Sequence, residues 1–144
     1  MTIRNLDSAF RPQSVVLVGA SEKPNSVGLR VMQNLTQSGF DGPIYLINPK
    51  RSKIGDLPCY PNAAALPEAP DLAVIATPAE SVPGVISELG QKGTRAAVVL
   101  TAGISESNGL RQAMLEAARP HLLRIVGPNC LGAFVPHIGL NASF

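Results

Sequence analysis

Ser14-Val-Val-Leu-Val-Gly-Ala-Ser-Glu-Lys-Pro-Asn-Ser-Val-Gly-Leu-Arg-Val-Met-Gln-Asn-Leu35 reads as a buried strand, a glycine turn and an amphipathic helix. Val15 to Val18 are apolar without alternation, the pattern of a parallel strand covered on both faces. Gly19 then frees the backbone of a Cβ, and Ala20 is nearly as small. Ser26 is placed to cap the next helix, whose apolar face comes from Val27, Val31, Met32 and Leu35. Gly28 falls in the first turn, where a missing side chain lets the helix approach a strand or a ligand. Such a turn aims unpaired N–H groups and the positive helix end at one spot, which suits a phosphate. The motif is not the usual G-x-G-x-x-G, because Ser21 replaces the second glycine and the loop is longer. A strand–helix turn without a ligand is the plain alternative, so the rest of the chain must decide.

The 144 residues suffice for one domain with a core of its own. Apolar residues make up 45% and aromatics 4%, with no Trp, a balance that suits α/β layers better than an aromatic β-sandwich. A net charge of +2 is too small to argue for a nucleic-acid partner. No apolar run approaches a membrane span, and the first residues lack a signal-peptide pattern. Cys59 and Cys130 lie far apart and in no metal spacing, so reduced thiols in a cytoplasmic protein are expected.

Outward from the opening stretch, residues 1–13 read as a lead-in with one short helical turn. Gly39 closes the first helix as a C′ glycine. Ile44–Ile47 is a second strand and runs into Asn48-Pro49-Lys50-Arg51-Ser52-Lys53, with three cations in four residues. Residues 54–70 read as a short connection with an extra strand near Cys59-Tyr60 and one helical turn. Residues 71–76 form another buried strand. Ser81 as N-cap places Pro83 in the tolerant first turn of a helix with a Val82, Val85, Ile86, Leu89 stripe, closed by Gly93. A fourth strand covers 95–101, a third helix runs from about Ser107 to Arg119, and Pro120 stops it. A fifth strand spans 122–126. Residues 14–134 read as the domain and 135–144 as a polar tail without further structure, leading towards a missing downstream domain.

Strands alternating with helices imply right-handed crossovers and a doubly wound, mainly parallel sheet with helices on both faces. The turns Gly19-Ala20-Ser21, Asn48-Pro49-Lys50, Thr77-Pro78-Ala79, Thr101-Ala102-Gly103 and Gly127-Pro128-Asn129 then line the carboxyl edge, where ligands bind. An NAD site wants an acidic residue at the end of the second strand. Asn48-Pro49-Lys50 offers a cation instead, which suits the additional ribose phosphate of either NADP or coenzyme A. The residues by themselves leave those two open.

The segments Gly19–Gly28, Ile47–Lys50, Asp71–Pro78, Thr101–Gly103 and Ile125–Gly132, in this order, resemble the CoA-binding domain of ADP-forming acyl-CoA synthetases (acetate–CoA ligases). That family is related to the α subunit of succinyl-CoA synthetase, and similar domains occur in bacterial protein lysine acetyltransferases. The resemblance implies a Rossmann-like fold and roles for individual residues. Gly19, Ala20, Ser21 and Gly28, with Ser26 and Val27 beside them, match the turn that takes the CoA phosphates. Asn48, Pro49 and Lys50 match the loop that carries a cation near the nucleotide phosphate. Thr77, Pro78 and Val82 match the wall beside adenosine and pantetheine. Thr101, Ala102 and Gly103 match a second pantetheine turn, and Pro128 and Asn129 lie towards the thiol. Each also has the plain reading of a turn residue chosen for backbone shape.

The family carries phosphate on a histidine in a later domain, a position that neither His121 nor His137 matches. The resemblance therefore implies a CoA-binding piece without catalytic residues or metal. Its partners are CoA and the remaining synthetase domains or subunit, and ATP and ADP are bound only there. The whole enzyme would interconvert acyl-CoA, ADP and phosphate with carboxylic acid, ATP and CoA. A CoA-sensing module of a lysine acetyltransferase and an NADP-dependent oxidoreductase domain are the alternatives. Cys130 is expected to pack as a small hydrophobe rather than meet the CoA thiol. In an assay of CoA-dependent ATP formation, the 144-residue chain alone is expected to show no turnover.

Overall fold

The computed structural model describes residues 3–144. Its organising feature is a seven-stranded sheet built from β1 (Val15–Val18), β2 (Ile44–Ile47), β3 (Lys53–Ile54), β4 (Leu57–Tyr60), β5 (Leu72–Ile75), β6 (Ala96–Val99) and β7 (Arg124–Val126). Their order is β3-β4-β2-β1-β5-β6-β7. All neighbours pair in parallel except the short β3–β4 hairpin. From β1 the chain moves outward through β2, then returns to continue through β5 on the other side. The β1–β5 boundary is thus the topological switch point, where a doubly wound sheet opens a crevice. This is the Rossmann-like α/β layering expected from the alternating elements.

The apolar quartets of the strands are explained by burial on both faces. Val15, Leu17, Leu72, Val74, Ala96 and Val98 face one core layer, together with Val31 and Leu35 of α2 (Val27–Gln37). Val16, Val18, Ala73, Ile75, Ala97 and Val99 face the other layer. That layer is closed by Val82, Ile86 and Leu89 of α3 (Val82–Lys92) and Met114 of α4 (Leu110–Ala118). With both sides covered, no position is free to be polar, so the usual alternation disappears. The lead-in contributes α1 (Leu6–Phe10), which buries Ala9. Among the described residues no helix is long and apolar enough to cross a membrane.

Three local expectations change. Ser81 precedes α3 but does not cap it with its side chain. Its backbone is already helical, its hydroxyl donates to the Pro78 carbonyl at 2.7 Å, and a 3₁₀ turn over Ala79–Ser81 feeds the helix. The helix expected from Ser107 begins at Leu110. Asn108 Oδ1 accepts from the N–H groups of Ser105 and Leu110, both at 3.1 Å, while its Nδ2 donates to Gly103 O at 2.7 Å. These side-chain bonds hold 105–109 as a turn in competition with helix.

The third change is the expected tail. Residues 132–143 form an antiparallel hairpin of β8 (Gly132–Val135) and β9 (Leu140–Ser143). Leu140 and Ala142 are completely buried and belong to the α2-side core. Asn34 Nδ2 of α2 donates to Ser143 O at 2.8 Å, and Ser38 Oγ donates to Gly139 O at 2.6 Å. The strand shows period-2 alternation over only four residues, Leu140-Asn141-Ala142-Ser143, too short to stand out from a polar segment.

The joint between α2 and β1 is tight. A Cβ placed on Gly28 would stand 2.1 Å from the carbonyl oxygen of Gly19, a distance real side chains do not reach. Gly28→Ala is accordingly expected to destabilise the protein by about 2 kcal/mol or more, because helix and strand must separate. Urea unfolding of the variant against wild type measures it, and an unchanged midpoint would contradict this packing.

Candidate functional site

The carboxyl ends of β1, β2 and β5 open onto a cleft of about 930 Å³ at the switch point. Gly19, Ala20, Ser21, Ser26, Val27 and Gly28 form its floor and one rim. Gly19 adopts φ +97°, and a Cβ there would meet the Ala76 carbonyl oxygen at 2.6 Å, so the turn needs glycine for both conformation and space. Ser26 Oγ accepts from Leu29 N–H at 3.2 Å and caps α2 as expected. The other N–H groups of the first turn have no partner within the helix and border the cleft at Val27 and Gly28.

The second rim is Asn48, Pro49 and Lys50, after β2. Asn48 Nδ2 donates to the carbonyl of Ala20 at 2.9 Å, and its Oδ1 accepts from the Lys50 N–H at 2.8 Å. Asn48 thereby spends its amide on joining the two rims and shaping the lysine's turn. Thr77 and Pro78 make the third side, after β5. Thr77 Oγ1 is buried and has no hydrogen-bond partner among the described residues, the condition of a polar atom awaiting one.

The cleft does not take in every residue expected of it. Val82 is completely buried in the core and cannot serve as a wall. The phase of α3 turns Val82 and Ile86 into the core, so the helix lines the cleft through Val85, one helical turn from Val82, together with Glu88 and Leu89. Thr101, Ala102, Gly103, Pro128 and Asn129 lie on the same sheet edge but outside the cleft. Thr101 Oγ1 donates to Thr77 O at 2.7 Å, and Asn129 N–H donates to Thr101 O at 3.1 Å, which joins those turns to the cleft wall.

Sequence reasoning missed Lys23, which lies inside the phosphate turn itself and lines the cleft; its position between Ser21 and Ser26 was the available signal. It also missed the wall made by Pro61, Asn62 and Ala63. A 3₁₀ turn over Ala63–Ala65, capped by Asn62 Oδ1 on Ala65 N–H at 3.0 Å, carries that wall. The charged residues lining the cleft are Lys23, Lys50 and Glu88. Neither lysine has an ion-pair partner among the described residues.

The remaining titratable groups stand aside. His121 packs its ring against α3 at Gly90, and His137 is exposed in a 3₁₀ turn. Cys130 is half-buried against the core, with Sγ 3.4 Å from Val99 O. Burial pushes the Cys59 thiol up. The Tyr45 phenol is pushed up to about 12, chiefly by its 2.7 Å hydrogen bond to Glu68. None of these lines the cleft.

The cleft combines a helix N-terminus, two lysines without an ion-pair partner among the described residues and no carboxylate at the end of β2, an arrangement suited to an anion. The family described as "CoA binding domain" matches residues 13–136. The chain belongs to that family. This CoA-binding domain is 44% identical over 135 residues to the ADP-forming acetate–CoA ligase of Methanocaldococcus jannaschii, covering 92% of the chain and 19% of that relative. It is 40% identical over 147 residues to acetate–CoA ligase (ADP-forming) II of Archaeoglobus fulgidus, covering 99% of the chain and 22% of that relative. The solved dinucleotide-forming acetyl-coenzyme A synthetase 1 of Ca. Korarchaeum cryptofilum, in complex with phosphate and ADP, superposes with a TM-score of 0.90. There the identity is 36%, and the match covers 96% of this chain and 30% of that one. The CoA-binding domain thus spans 19–30% of the length of these relatives, and they favour the synthetase reading over an acetyltransferase or oxidoreductase one.

Asn48 is the joint between the two rims of the cleft. Asn48→Ala strips the Ala20 carbonyl and the Lys50 N–H of their partner, and a stability loss of about 1–2 kcal/mol is expected. Chemical denaturation reads it, and a loss within experimental error would show that the rims hold without this side chain.

Proposed function

We propose that the cleft holds coenzyme A by its nucleotide portion, in the service of an ADP-forming acyl-CoA synthetase. The observation that carries this reading is the pairing of the α2 N-terminus with a cationic, rather than acidic, loop after β2. The pyrophosphate lies on the Gly19–Ser21 turn and the first turn of α2, where N–H groups and the helix dipole meet it. The additional ribose phosphate lies at Lys50, with Lys23 across the mouth. Thr77 and Pro78 border the adenosine, and Thr77 Oγ1 gains a partner there. The pantetheine arm leads over the edge towards Thr101, Ala102, Gly103, Pro128 and Asn129.

The whole protein, on this reading, converts acyl-CoA, ADP and phosphate reversibly to carboxylic acid, ATP and CoA. The phosphohistidine and ATP/ADP chemistry belongs to other domains or to a second subunit. The part played by this chain is to fix CoA with its thiol end projecting from the carboxyl edge of the sheet. The domain contributes binding and orientation and no group that makes or breaks a bond.

The test separates CoA from the other phosphorylated nucleotides by calorimetric titration. An exposed ion pair is worth up to about 1 kcal/mol and a charge-assisted bond in a groove about 1.5–3 kcal/mol. Wild type should therefore bind CoA roughly tenfold or more tightly than dephospho-CoA, which lacks the ribose phosphate. Lys50→Ala should lose most of that preference. NADP carries the ribose phosphate without the pantetheine arm and should bind more weakly than CoA. Tighter binding of NADP would replace this reading with an oxidoreductase one.

A further inference from the structure

Three cations follow β2 within four residues, and the structure gives them different partners. Lys53 Nζ lies 3.9 Å from Asp56 Oδ1, on the β3–β4 hairpin. Arg51 Nη1 donates to Glu22 Oε2 at 2.6 Å. Of the three, only Lys50 lines the cleft, and it has no ion-pair partner among the described residues. Glu22 belongs to the phosphate turn, between Ser21 and Lys23. Its second oxygen, Oε1, accepts from the Gly55 N–H at 2.9 Å. One carboxylate thus crosses from the β1–α2 turn to the basic loop at Arg51 and to the β3–β4 turn at Gly55.

An arginine beside a phosphate site is a strong competitor for that phosphate. Its planar fork binds phosphate in two parallel hydrogen bonds, where a lysine acts as a point charge. Arg51 is adjacent to Lys50 in the chain, yet its guanidinium is held by the turn instead of facing the ligand. The carboxylate that holds it is neutralised by the same contact and so does not repel a bound anion. We propose that Glu22 is a specificity-determining positioning residue, withdrawing the Arg51 guanidinium from the cleft mouth and leaving phosphate recognition to Lys50. The inference rests on the CoA reading given above and names the side chain that makes the ribose-phosphate contact depend on a single cation.

The test is a set of titrations with CoA and dephospho-CoA, in which the ratio of the two affinities is read. The Glu22 and Arg51 side chains are 42% and 53% exposed, so their variants are expected to fold. Gln at position 22 also keeps an acceptor for the Gly55 N–H. Arg51→Ala is expected to retain the wild-type preference for CoA, because that guanidinium is already engaged. Lys50→Ala loses the preference. Adding Glu22→Gln to Lys50→Ala releases Arg51 and should restore the preference about threefold or more. Adding Arg51→Ala to that double variant should abolish the restoration. A purely structural role for Glu22 would weaken both ligands alike and leave the ratio where Lys50→Ala put it, which would overturn the proposal. So would a loss of preference in Arg51→Ala equal to that in Lys50→Ala. Failure of wild type to bind CoA would overturn the functional reading itself, and this inference with it.

Discussion

The backbone of α2 rests directly on the backbone of β1, because Gly28 has no Cβ to hold it away from the Gly19 carbonyl. Much of the site follows from that contact. It brings the helix N-terminus to the end of the central strand, where unpaired N–H groups face the crevice. Gly19 in turn lies against the Ala76 carbonyl after β5 and donates its N–H to Ile47 O of β2 at 3.1 Å. Three strand ends therefore converge on one glycine. The close approach of these backbones leaves main chain as the floor of the cleft at Gly19 and Gly28.

Main chain alone would give a mouth of indefinite width, since loops at a sheet edge carry few packed side chains. Asn48 and Glu22 supply the cross-ties. Asn48 reaches from the β2 loop to Ala20, and Glu22 reaches back from the β1 turn to Arg51 and Gly55. Asn48 and Glu22 thus tie the β1–α2 turn to the segment after β2 from both sides. They also sort the charges. The basic loop keeps Lys50 at the cleft, and the turn keeps Lys23 there, while Arg51 is engaged elsewhere. On the proposed reading, a multiply charged anion meets two lysines that have no ion-pair partner among the described residues to give up first.

The fold was legible because its signals are local. Apolar quartets such as Val15–Val18 and Leu72–Ile75 announce strands buried on both faces, and the glycines and Ser26 mark where each helix starts or ends. The floor of the site was legible for the same reason, since strand ends define a sheet edge. What the sequence hid depends on phase and on distant partners. Val82 and Val85 look equivalent in a helical stripe, and only the packing of α3 shows that the first is core and the second faces the cleft. The β8–β9 hairpin was hidden because Leu140 and Ala142 are buried by α2, more than a hundred residues earlier in the chain. Glu22 and Arg51 are 29 residues apart and read singly as solvated charges. The choice between CoA and NADP was beyond the local chemistry, because both carry the same additional phosphate. The family resemblance supplied it, and the comparison with known proteins agrees.

The character of the lining argues for how such a domain works. The lining offers backbone N–H groups, small residues, Lys23, Lys50 and Glu88, a set suited to attracting and orienting a phosphorylated ligand. Both histidines are outside the cleft, as are both thiols, one buried and the other half-buried against the core. On the proposed reading, reactivity placed beside the phosphates would gain nothing, since the reactive thiol of CoA is at the far end of a long arm. Binding the inert end firmly and leaving the reactive end free separates affinity from chemistry. A domain of this kind can then present the same thiol to whichever acyl or phosphoryl donor its neighbours supply, and specificity for the acyl group need leave no mark on the cleft.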